Sequence, residues 1–176
     1  MINEEKWNAC TAFHGHSCGG LMIGFQAAEY AARLLDLEHA SDEETACISE
    51  NDACGVDAIQ YLLGCSAGKG NLMFHLTGKQ AFTFFNRKTG KSVRMILKDK
   101  PDWVKKGESR AYYASRDPEE LFDLTEVRLA LPEYARSFDS YHCDGCGELT
   151  AENYLKLYHG KKYCPDCWKP YQRYDI

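Results

Sequence analysis

The chain has 176 residues and a formal charge of −5. That length suits one medium domain plus a small satellite, and the acidic balance argues against the broad basic footprint of a nucleic-acid binder. Nine cysteines, an odd count, fit poorly with a complete disulfide framework. No apolar run approaches the roughly 18 residues of a membrane span, and Met-Ile-Asn-Glu-Glu-Lys lacks the basic and apolar regions of a signal peptide. The cysteines are therefore expected to be reduced in a cytoplasm, as ligands or reactive thiols.

In chain order, residues 4–12 predict a short amphipathic helix with Trp7 and Ala12 inward, ending at the loop Phe13-His-Gly-His-Ser-Cys18. A longer helix is expected over 20–37. Leu21, Gly24, Ala28, Ala31 and Leu35 recur at helical spacing, and Gln26, Glu29 and Arg33 mark the opposite side. Its glycine and alanines let another backbone approach, so this helix reads as central. Residues 42–44 form an acidic loop, and 45–49 a short strand. A second helix is expected over 53–63, with Asn51 or Asp52 as N-cap and Val56, Ile59, Leu62 and Leu63 as its apolar face.

After the glycine-punctuated loop 64–71 come strands over 72–76, 80–86 and 92–97, the last two joined by the turn Arg87-Lys-Thr-Gly90. Short helices are expected at 102–106 and 118–123, with a strand at 124–129. Helices first and strands later favour an α+β class. The domain reading is a core over 1–132, a linker over 133–141 and a finger over 142–176.

In the finger, Cys143-Asp-Gly-Cys146 and Cys164-Pro-Asp-Cys167 are separated by seventeen residues. Each two-residue gap turns both sulfurs toward one ion, and two such pairs complete a four-cysteine site suited to structural zinc. The competing readings are two disulfides, four unrelated thiols or a rubredoxin-like iron centre. The finger has five Lys/Arg and five acids, so it is not a basic module.

A second constellation lies near the N-terminus. His14, His16 and Cys18 place three transition-metal ligands within five residues, and alternate positions of an extended loop project to one side. The glycines after Cys18 also place that thiol at a helix N-terminus, where partial positive charge favours thiolate. The plain alternative is a helix cap with one buried histidine. Cys54 begins the second helix and is a candidate thiolate for the same reason, so it is grouped with the loop. His16, Cys18 and Cys54 are the candidate catalytic groups. His14, His16, Cys18 and Cys54 together form a candidate core metal site.

Cys65 lies eleven residues after Cys54, about 16 Å along a helix at about 1.5 Å per residue. The two cannot share an ion unless the helix breaks, which leaves Cys65 as a pocket residue or simple core. Cys10 and Cys47 read as core. Gly68-Lys69-Gly70-Asn71 is either a plain turn or a loop in which Lys69 helps hold an anionic cofactor. It lacks the spacing of a P-loop.

Three ordered motifs carry a family resemblance: Phe13-His-Gly-His-Ser-Cys-Gly-Gly-Leu21 with Gly24, Cys54-Gly-Val-Asp-Ala-Ile-Gln60, and Gly64-Cys-Ser-Ala-Gly-Lys-Gly-Asn-Leu72. Over roughly 10–130 the chain resembles the FmdE family, named for one of the subunits of formylmethanofuran dehydrogenase, a molybdenum or tungsten enzyme. Gly19 stands where that family usually has proline. The resemblance implies a core of helices packed on a mainly antiparallel sheet, a C-terminal treble-clef zinc finger ending in a short helix, and a homodimer. It implies a polar cleft at His14, His16, Cys18, Cys54 and Cys65. Three functions follow as expectations. One is a metal-binding accessory to a molybdenum or tungsten one-carbon enzyme. The second is a stand-alone enzyme with Cys18 or Cys54 as nucleophile or ligand and His16 as acid/base. The third is a finger that contacts a partner protein. The identity of any second metal is left open.

Overall fold

A computed structural model describes residues 2–174. It comprises two compact units, divided between Ala135 and Arg136.

In the first unit, Asn3 caps helix α1 (Glu4–His14) by accepting the Lys6 N–H at 3.0 Å, and Glu4 and Glu5 sit in the favourable first turn. Trp7 and Cys10 are its buried residues. Ala12, expected inward, is exposed, because three-residue spacing from Trp7 selects Cys10 instead. Gly15 ends the helix with φ of 90° and donates to the Thr11 carbonyl, a left-handed cap that glycine adopts without a Cβ penalty.

Helix α2 (Gly19–Leu35) is buried along most of its length. Gln26, expected on the polar side, is also buried, and its amide donates to the Tyr113 and Arg116 carbonyls at 2.8 and 3.2 Å. A buried amide is tolerated when satisfied in this way. Strand β1 (Thr45–Ser49) follows, then helix α3 (Gly55–Leu63), which begins two residues later than expected. Asn51 spends its side-chain oxygen on the Ala53 N–H at 3.1 Å, and Cys54 takes the N-cap position.

Strands β2 (Leu72–Phe74), β3 (Ala81–Asn86) and β4 (Ser92–Leu97) come next. Helices α4 (Ser109–Ala114) and α5 (Pro118–Leu121) lead into β5 (Phe122–Thr125). β5 starts earlier than expected because buried Phe122 belongs to the sheet. The five-stranded sheet has order β2-β1-β3-β4-β5. β1 and β2 pair in parallel, and the other three pairings are antiparallel. Helix α3 lies in the crossover between the parallel strands, as such a connection requires. The core contains Leu21, Met22, Phe25, Ile59, Phe82, Phe84 and Met95, and α2 packs against α3, α4, β3 and β4.

The second unit contains two antiparallel ribbons. β6 (Ser140–His142) pairs with β7 (Leu149–Ala151), and β8 (Lys156–Tyr158) pairs with β9 (Lys161–Tyr163). The expected final helix after Cys167 is absent among the described residues. Pro170 restricts Lys169 away from helical backbone.

Candidate metal centres

The core site is built where two helices nearly touch. A Cβ added at Gly24 of α2 would lie 1.9 Å from the Gly55 carbonyl oxygen of α3, and one at Gly55 would lie 3.1 Å from the Gly24 nitrogen. Gly24 cannot carry a side chain at this approach, and at Gly55 a Cβ would require its neighbours to give by a few tenths of an ångström. The contact lies near the start of both helices, so it draws together their N-cap residues, Cys18 and Cys54. Gly20 completes the cradle: a Cβ there would sit 3.6 Å from the Cys54 sulfur and 3.9 Å from the Cys18 sulfur.

His14 arrives from the last turn of α1, and His16 from the loop beyond Gly15. The His14 and His16 ring centroids are 4.5 Å apart. One ligand atom from each of His14, His16, Cys18 and Cys54 lies within 4.8 Å of the others. Donors around a tetrahedral zinc-type ion sit about 3.3–3.8 Å apart, so a small inward adjustment of side chains would complete a site. The donor set, two imidazoles and two sulfurs, suits zinc and neighbouring divalent ions.

Each donor is held differently. The Cys18 sulfur accepts the Leu21 N–H at 3.3 Å, capping α2. His14 Nδ1 lies 2.7 Å from Asp57 Oδ2, and its Nε2 is buried without a hydrogen-bond partner. His16 is exposed. Cys54 departs from expectation: burial, together with the neighbouring Cys18 thiol, pushes its pKa up despite its place at a helix start. Desolvation outweighs the dipole here.

Cys65 and Lys69 do not join this cluster. Cys65 is fully buried, its thiol faces the Thr45 carbonyl at 3.8 Å, and burial pushes it up to about 12. The Lys69 ammonium donates to the Ala40 carbonyl at 2.8 Å. Asn71, which the sequence marked only as part of a loop, organises this region. Its buried amide donates to the carbonyls of Asp42, Thr45 and Gly64, and its oxygen accepts the Ser66 N–H. The loop 68–71 is thus occupied with bracing its own fold. Cys10 and Cys47 are core residues, as expected.

In the finger, one sulfur from each of Cys143, Cys146, Cys164 and Cys167 lies within 4.8 Å of the others, and Cys146 and Cys164 are 4.0 Å apart. Zinc–sulfur bonds of about 2.3 Å imply sulfur separations near 3.8 Å, so the four thiols fit that ion. The Cys164 and Gly145 N–H groups point at the Cys143 sulfur at 3.2 and 3.3 Å. Backbone N–H bonds, the one from Cys164 foremost, hold the Cys143 thiol down to about 6. Within the same cluster Cys167 is pushed up to about 12, chiefly by its hydrogen bond with Cys164.

Residues 13–133 match the family described as FmdE, molybdenum formylmethanofuran dehydrogenase operon. The chain belongs to the FmdE family. Residues 136–173 match the prokaryotic dksA/traR C4-type zinc finger, so the four-cysteine cluster is a zinc-finger site attached to an FmdE core. The structure resembles that of a tungsten formylmethanofuran dehydrogenase FmdE-like protein from Syntrophus aciditrophicus. The TM-score is 0.70 at 25% identity, covering 93% of this chain and 90% of the other. The FmdE chain is also 26% identical to a probable S-adenosyl-L-methionine-binding protein of Archaeoglobus fulgidus. That match covers 82% of this chain but 48% of the relative, so the chain spans about half the length of that protein.

Proposed function

We propose that the FmdE core carries a functional metal centre, held by His14, His16, Cys18 and Cys54 and separate from the structural zinc of the finger. The observation that carries this reading is the convergence of four soft and borderline donors from α1, its following loop and two helix N-caps. A divalent ion held there supplies Lewis-acid polarisation to a small bound molecule. The N-termini of α2 and α3 favour negative charge on Cys18 and Cys54 when these act as ligands. His14 is anchored and largely enclosed, whereas His16 is exposed. His16 is therefore the donor placed to yield to an incoming ligand or to move a proton at its imidazole nitrogen.

The role we assign to this centre is accessory to a molybdenum or tungsten one-carbon enzyme, in a cytoplasm and as a homodimer. The family description and the kinship with a tungsten formylmethanofuran dehydrogenase FmdE-like protein support the enzyme association. The reduced-thiol reading of the cysteines supports the compartment. S-adenosylmethionine binding is not assigned, because about half of that relative has no counterpart here. No helix among the described residues is long and apolar enough to cross a membrane. A second reading, a finger that docks a partner protein, draws on its exposed Leu149 and Leu157.

The test is metal content of the full chain reconstituted under reducing conditions. The expected result is two ions per chain, falling to one in the double variant Cys18→Ser/Cys54→Ser. A wild-type chain that saturates at one ion, with no change in the double variant, overturns the core centre.

A further inference from the structure

We infer that Asp57 is a positioning residue of the core centre. It sets which nitrogen of His14 faces the ion, and Gln60 holds it in place. This rests on the proposed metal reading of the same cluster.

The two nitrogens of one ring carry the argument. His14 Nδ1 meets Asp57 Oδ2 at 2.7 Å, whereas His14 Nε2 is buried with no hydrogen-bond partner. A carboxylate only accepts, so Nδ1 carries the hydrogen, and in the neutral ring that binds a metal Nε2 is then the nitrogen with the lone pair. An orphaned ring nitrogen in a buried position is costly unless something accepts its lone pair. Here that nitrogen belongs to a histidine grouped with His16, Cys18 and Cys54. A histidine that ligates through one nitrogen while donating its other N–H to a carboxylate is oriented and made more basic.

The supporting arrangement is written along one helix face. Cys54, Asp57 and Gln60 recur every three residues from the start of α3, so they lie on adjacent turns. The Gln60 amide donates to Asp57 Oδ1 at 2.9 Å, leaving Oδ2 for His14. One short stretch of helix thus provides a ligand, the carboxylate that orients a second ligand from another helix, and the amide that orients the carboxylate. Among the described residues Asp57 hydrogen-bonds no other donor of the cluster, and its charge disfavours the Cys54 thiolate, so any weakening of metal binding on its removal passes through His14.

The experiment uses the full chain with Co²⁺ alone as the added metal, followed by its ligand-field absorption. The absorption lost in Cys18→Ser/Cys54→Ser, which keeps the finger, defines the core signal. Asp57→Ala should weaken Co²⁺ binding at the core by about 10–100-fold, with the finger signal and the melting of the metal-free chain unchanged. Asp57→Asn, which retains an acceptor without the charge, should restore part of the loss. Gln60→Ala should give a smaller loss of the same kind, and it decides the matter if Asp57→Ala does not fold. Wild-type Co²⁺ affinity in Asp57→Ala, or in Gln60→Ala where that variant decides, overturns the positioning role while leaving the metal centre intact. A wild-type chain with no core signal overturns the metal centre and this inference with it.

Discussion

The Gly24 Cα faces the Gly55 peptide so closely that a single added carbon would fall 1.9 Å from the Gly55 oxygen. No flexible side chain intervenes, and the obstacle is backbone. Gly24→Ala must therefore push α2 and α3 apart, and it should destabilise the core by about 3 kcal/mol. Gly68, which has nothing within 4 Å of an added Cβ, is the matched control, and its alanine variant should change stability by less than about 0.5 kcal/mol. Urea unfolding of both variants checks the contrast. Equal effects would show that the helix crossing is not the tight point.

Glu50 and Arg94 form an ion pair in the sheet. Arg94 Nε donates to Glu50 Oε1 at 2.7 Å, Thr77 donates to Oε2 at 3.0 Å, and both charged residues are buried. The Arg94 hydrogen bond is the main cause holding the Glu50 carboxyl below its usual value of 4.5. A carboxylate with a lowered folded-state pKa contributes stability that is complete above the unfolded value and disappears as pH falls through the folded one. Wild-type stability should thus decline from about pH 4.5 downward, and Glu50→Gln should flatten part of that decline. Arg94→Ala, which strands a buried carboxylate, should cost about 3–5 kcal/mol near neutral pH. Denaturant titrations across pH measure both, and an unchanged acid slope in Glu50→Gln contradicts the assignment.

Asn71 joins three carbonyls and one N–H in a buried position. Truncation to alanine removes all of these bonds from a buried site, for a loss of about 2–4 kcal/mol. Lys69→Ala, which removes a single part-buried bond to Ala40, should lose about 1 kcal/mol. Chemical denaturation separates the two. Phosphate titration of the wild type followed by calorimetry should give no heat of binding at this loop, and saturable heat abolished by Lys69→Ala would restore the anion-site reading.

Cys143 is the most enclosed of the finger thiols and accepts two backbone N–H bonds. Cys143→Ser should release the finger's ion and unfold that unit. The core melting should stay within about 2 °C of wild type, because Leu21, Phe25, Phe82 and Phe84 make one cluster without finger residues. Calorimetry with metal analysis checks both halves. Loss of the core transition would contradict the independence of the two units.

What could be read from the sequence was local. The strand expected over 45–49 after its acidic loop is found residue for residue, and the two Cys-x-x-Cys pairs announce their geometry by spacing alone. What could not be read depends on contacts distant in the chain. Gln26 looks like a surface residue until its partners at 113 and 116 are known. Asp57 looks like a first-turn helix acid until the end of α1, 43 residues earlier, reaches it. The direction of the Cys54 shift required knowing how burial and the adjacent thiol combine against the helix end.

The glycine crossing of α2 and α3 also decides what kind of change this protein can absorb. The spacing of Cys18 and Cys54 is fixed by two main chains in contact rather than by the fit of side chains around them. Large residues elsewhere in the interior, such as Phe82 or Met95, can be exchanged for others of similar volume without altering that distance. The core could therefore drift in sequence, or be redesigned for stability, while the dimensions of its candidate metal centre are inherited unchanged for as long as Gly24 and Gly55 are kept.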